Sequence, residues 1–206
     1  MKKIIKLLKN SFQSNKKLIY FLILFTLIGI IFGSTFILFL NETDKNIVNE
    51  YITGFINDIK ENKINIYNNF ISLNIPNIIS LILIWLLGIS ALGIPVILFI
   101  YFSKMFVLGF TISSFILKYK FKGVIYSFIY LIPSNLIKIT IFIVLINYAF
   151  TLSFNLIKTF IKRGNINFKP IMKKYIIILV TSILVIILCD IYETVISPII
   201  LKFIIK

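Results

Sequence analysis

Asp190 and Glu193 stand three residues apart near the end of a long apolar run, a spacing that puts both carboxylates on one face of a helix. Carboxylates so placed can accept a proton, bind a cation or pair with a lysine. An ionisable group in hydrocarbon costs at least ~2.5–3.5 kcal/mol on insertion scales, so each one is a functional candidate until its partner is found. Lys138, five residues after Pro133 in a different apolar run, is the natural counter-charge if the two helices face each other. Its other reading is a side chain snorkelling towards the outer headgroups. Lys104 reads as a turn residue. The set therefore suits a structural polar contact, a partner contact or ion conduction. It is a poor basis for catalysis, because acid–base work also needs a substrate pocket and a stabiliser for developing charge.

The remaining composition narrows the chemistry further. Histidine is absent, which removes the commonest general base, the commonest zinc ligand and every Ser-His or Cys-His nucleophilic arrangement. Cys189 is the only cysteine, lies inside an apolar run and reads as packing. There is no glycine-rich phosphate loop, no His-Glu metal motif and no Gly-x-Ser-x-Gly elbow. The expectation is a non-enzyme with no catalytic, cofactor-binding or metal-ligating residues.

The elements that would position these groups are set by lipid. Hydrophobic residues make up 59% of the 206, only 14% are charged and the mean hydropathy is +1.02, more apolar surface than one soluble core could hide. A net charge of +15 raises the question of nucleic acid, and the positions of the lysines answer it. Lys2, Lys3, Lys6, Lys9, Lys16 and Lys17 precede the first apolar run without an acid, and Lys158, Lys162, Arg163, Lys169, Lys173 and Lys174 separate the last two. Acid-free blocks beside spans keep loops cytoplasmic, so nucleic acid is not the expected partner and the bilayer is.

The predicted fold is an all-α integral membrane protein of a bacterial cytoplasmic membrane, with a cytoplasmic N-terminus and about five spans, near 18–40, 76–94, 95–117, 124–156 and 175–197. Gly93 and Pro95 mark a break between the second and third spans, with Ser103-Lys104 as the other turn position. Pro133 removes a backbone donor and disfavours helical geometry in Ile132, so the fourth run should break there. A variant topology makes residues 105–117 and 124–132 re-entrant, which would bring Lys118, Lys120 and Lys122 inside. Residues 41–75 form a mildly acidic external segment. In it Ile52, Phe55, Ile56, Ile59 and Ile66 suggest an amphipathic helix that lies on the membrane, docks a partner or packs on the bundle. Gly29-x-x-x-Gly33 offers a close helix approach. Past Ser197-Pro198 a short external tail carries Lys202 and Lys206.

Several local patterns occur in one order along the chain: Trp85-Leu86-Leu87-Gly88, Gly93-Ile94-Pro95, and Met105-Phe106-Val107-Leu108-Gly109-Phe110. They continue through Lys122-Gly123, Leu131-Ile132-Pro133-Ser134-Asn135-Leu136-Ile137 and Tyr192-Glu193-Thr194-Val195-Ile196-Ser197-Pro198. Together they resemble the stage II sporulation protein M family over nearly the whole chain. The resemblance implies action during engulfment, when the mother-cell membrane migrates around the forespore, alongside stage II sporulation proteins P and D, which degrade peptidoglycan. In that picture the chain is a membrane scaffold that localises cell-wall hydrolases at the septum. Wider relatives carry Pro-His-Gly and a following glutamate where this chain has Pro133-Ser134-Asn135 and Lys138, which argues for the sporulation branch. The alternative function is a small channel or permease using Asp190 and Glu193.

Overall fold

The computed structural model describes residues 16–90, 92–162 and 168–205. Lys2, Lys3, Lys6, Lys9, Arg163 and Lys206, on which part of the sidedness reading rests, lie outside them. Every regular element among the described residues is helical. They are α1 (Lys16–Phe36, extended by a 3₁₀ turn, Ile37–Phe39), α2 (Glu42–Glu61), α3 (Ile66–Leu87), α4 (Gly93–Tyr119), α5 (Phe121–Tyr130), α6 (Ile132–Lys162), α7 (Phe168–Ile191), a π turn (Tyr192–Ile196) and α8 (Ser197–Ile205). Five segments are long and apolar enough to cross a bilayer: Lys16–Phe39, Ile66–Leu87, Gly93–Tyr119, Ile132–Thr159 and Pro170–Ile205. The protein is an all-α, multi-pass membrane protein.

Among these spans α6 is the centre. It touches α1, α3, α4, α5 and α7, and 61% of its most apolar stretch is buried against 22–33% for the other spans. Its buried residues run almost without interruption from Phe142 to Leu152. The other helices are buried on one stripe only and turn residues such as Leu27, Ile31, Val107 and Leu188 outwards, where lipid is their solvent.

Helices surrounded by lipid gain little from apolar burial against one another, so they associate through close packing and hydrogen bonds. The α1–α4 contact, the most extensive among the described residues, uses the first route. A Cβ at Gly33 would overlap the Phe106 carbonyl, and one at Gly109 the Ile30 carbonyl. The Ser34 hydroxyl crosses the same seam to donate to the Gly109 carbonyl at 3.1 Å. Gly29 and Gly33 thus serve a contact inside the chain.

Several expected boundaries move. The second span begins at Ile66 instead of 76, because Pro76 is carried inside α3. The amphipathic segment is correspondingly shorter than the expected 41–75 and ends with α2 at Glu61, where Asn62 closes the helix in a left-handed conformation. α3 ends at Leu87 and α4 begins at Gly93, so Gly93 and Pro95 sit in the first turn of α4, where a missing N–H costs no bond. Lys104 is therefore mid-helix and not a turn residue. The fourth run breaks at Leu131, with Pro133 entering the first turn of α6. The short tail expected past Ser197-Pro198 is helical as far as Ile205: the π turn has already interrupted the ordinary hydrogen-bond ladder, so Pro198 is accommodated and the chain continues as α8.

The apolar face of α2 is taken up by the bundle. Ile52, Ile56 and Ile59 pack in one cluster with Phe115, Tyr126, Leu131 and Leu201 from α4, α5, the break and α8. Of the three readings of this segment, packing on the bundle is the one its apolar face follows.

A charged cluster inside the helix bundle

Lys138 lies in the second turn of α6, Asp190 in the last turn of α7, and Glu193 in the π turn that follows. The two carboxylates face α6, and the ammonium of Lys138 sits between them, 2.7 Å from Asp190 Oδ1 and 2.6 Å from Glu193 Oε2. All three are buried, with 5%, 0% and 3% of their surface exposed for Lys138, Asp190 and Glu193. Snorkelling is thereby replaced, for Lys138, by a closed ion triad. Three charges held this far from water persist only if each lone pair and each proton finds a partner.

The partners come from two further helices. Asn74 donates from Nδ2 to Asp190 Oδ2 at 2.9 Å, and Asn77 donates to Asp190 Oδ1 at 3.1 Å. Asn77 in turn accepts from Lys104 Nζ at 3.0 Å, and Lys104 also donates to the Pro76 carbonyl at 3.2 Å. Ser134 donates to Glu193 Oε2 at 2.7 Å. Lys104 and Lys138 thus balance Asp190 and Glu193, and the network ties α3, α4, α6 and α7 together.

Beside it, the break between α5 and α6 is closed by side chains. Ser197 donates to the carbonyls of Ile129 and Tyr130 at 3.1 and 3.2 Å, and Asn135 Nδ2 donates to the Leu131 carbonyl at 2.8 Å. Thr194 donates to the Asp190 carbonyl at 2.8 Å, where the helix widens into the π turn. Irregular backbone at membrane depth is tolerated when protein groups re-satisfy it, and here they do.

Sequence reasoning found the triad and missed its supports. Asn74, Asn77 and Ser134 were hidden because a composition rich in Asn, Ile and Lys makes single asparagines uninformative. A signal existed: Asn74 and Asn77 share the three-residue spacing of Asp190 and Glu193, and Ser134 stands four residues before Lys138 on the same helical face. Cys189 is buried beside the cluster as a free thiol. Gly93 and Pro95 lie in the turn region at the opposite end of α3, away from the charges.

Compared with known proteins, residues 21–198 match the family described as Stage II sporulation protein M. The match spans the triad, its asparagine and serine partners, the α5–α6 break and the three seam glycines Gly29, Gly33 and Gly109. No curated protein and no solved structure matches the chain.

Proposed function

This chain belongs to the stage II sporulation protein M family, and from that premise we propose that it is a non-enzymatic scaffold for forespore engulfment, localising septal peptidoglycan hydrolases. Family membership makes it a sporulation-related membrane protein. The finer reading adds the place, the mother-cell septal and engulfing membrane, and the partners, stage II sporulation proteins P and D.

The observation that supports it best is the closure of the charged cluster. Asp190 is met by Lys138, Asn74 and Asn77, and Glu193 by Lys138 and Ser134, so the intramembrane charges are spent on holding four helices in register. A rigid bundle with one amphipathic helix, α2, docked by its apolar face presents the polar side of that helix, with Glu50 and Asp58, to a water-side partner. The second reading, a small channel or permease, draws on the same buried ions, because intramembrane charge often marks an ion path.

One experiment separates the two. The gene is deleted in its host, and sporulating, membrane-stained cells are imaged with either the parent chain or the Lys138→Met, Asp190→Asn, Glu193→Gln triple variant restored. The scaffold reading expects a flat or bulging septum on deletion and engulfment by both restored strains at matched protein levels. Normal engulfment on deletion overturns it. Loss of engulfment in the triple variant alone, with the protein present in the membrane, favours ion handling.

A further inference from the structure

Where α2 ends, its last turn and the residues after it approach the π turn and α8, leaving a groove of about 440 Å³. The size falls within the ~300–1,000 Å³ usual for small-molecule sites. Ile59 and Ile64 form one wall, Ile199 and Phe203 the other, and polar groups gather at the rim, where Lys202 Nζ donates to Asn62 Oδ1 at 2.6 Å. Lys202 makes no ion pair among the described residues.

Helix geometry places this groove at a membrane boundary. α3 has 22 residues, about 33 Å of helix against a hydrocarbon core of ~30 Å, and Ile66, its first residue, lines the groove. Asp190 is level with Asn74, to which it is bonded, so the antiparallel partner of Ile66 lies about eight residues past Asp190, at Pro198. Lys202 then stands roughly 6 Å further out, one helical turn beyond the hydrocarbon edge. The apolar walls are at acyl-chain depth and the uncompensated ammonium is at headgroup depth.

We propose that this groove is a binding site for an anionic phospholipid, with the acyl chain between Ile59, Ile64, Ile199 and Phe203 and the phosphate on Lys202 and Asn62. The ammonium is a point charge with donors to spare, suited to a phosphate oxygen, and the Asn62 side chain holds it at the rim. The lipid would join α2 to α8 and so brace the platform on which the scaffold reading depends, although its binding does not require that reading.

The test uses the full chain in phosphatidylcholine vesicles. Trp85, the only tryptophan, is replaced by Phe, and Ile199→Trp reports from the groove wall. Brominated phosphatidylglycerol is expected to associate with this reporter about fivefold more strongly than brominated phosphatidylcholine, the ratio for about one lysine–lipid contact. Lys202→Gln should bring the ratio near one and Lys202→Arg should keep most of it. A reporter on the distant lipid-facing side of α1, Leu24→Trp, should show no headgroup preference. Equal quenching by both lipids at Ile199→Trp overturns the proposal, and so does the same preference at Leu24→Trp. Absence of quenching by either lipid overturns it as well, because the groove is then filled by protein, a second copy included. Circular dichroism of each variant confirms the helical fold.

Discussion

Between α1 and α4 the helices meet through glycines, whereas α3, α4, α6 and α7 meet through charges, and the two contacts should fail in different ways. The seam needs absence of volume: Gly33 lies against the Phe106 carbonyl and Gly109 against the Ile30 carbonyl, so any side chain must push backbone aside. It has no charge to balance. The cluster needs presence: two carboxylates, an ammonium and two asparagines that each complete another's valence. In lipid, then, the packed contact is broken by adding atoms, and the ionic one by removing a single member.

The largest expected effect is on the charged side. Lys138→Met leaves Asp190 and Glu193 buried and facing one another, which should destabilise the protein by ~3–5 kcal/mol. Thermal or denaturant unfolding in detergent micelles measures it. Adding Asp190→Asn and Glu193→Gln removes the three charges of the triad together, leaves Lys104 on its neutral acceptors and should restore a large part of the loss. If the triple variant is as unstable as the single one, the cluster is held by shape and not by charge balance.

Next comes the seam. Gly33→Val should cost roughly 1–3 kcal/mol, the range for overpacking, and no second charge change should relieve it. Adding it to Lys138→Met should give nearly the sum of the two losses, because the sites share no partner. A strongly non-additive double variant would break the distinction drawn between them. The smallest effect belongs to a single neutral donor of the cluster: Asn74→Ala removes one of the donors to Asp190 and should cost ~0.6 kcal/mol, the average for interhelical hydrogen bonds in membranes, and no more than ~1.7 kcal/mol, their maximum.

The α5–α6 break shows why parts of the site were legible and others were not. Pro133 announces a break to any reader of the sequence, since a missing donor and a restricted neighbour are local properties. That Ser197, more than sixty residues away, supplies the hydrogen bonds that make the break tolerable is not a local property. Lys104 was misplaced for a similar reason. A lysine in an apolar stretch is expensive by itself and so reads as a turn, until Asn77 and the Pro76 carbonyl offer it acceptors. The face of α2 is the converse case, where periodicity revealed an apolar stripe but not what covers it.

Composition and run length by themselves determined that this is a helical, multi-pass membrane protein, because hydrocarbon forces every spanning backbone to satisfy its own hydrogen bonds. Spacing alone put Asp190 and Glu193 on one helical face and offered Lys138 as their counter-charge. The closure of the triad, its completion by Asn74, Asn77 and Ser134, and the meeting of Gly33 with α4 within the chain came from the packing of helices distant in sequence. The energy of a buried charge, or of a missing side chain, depends on which atoms another helix brings within about 3 Å. Sequence order does not carry that distance.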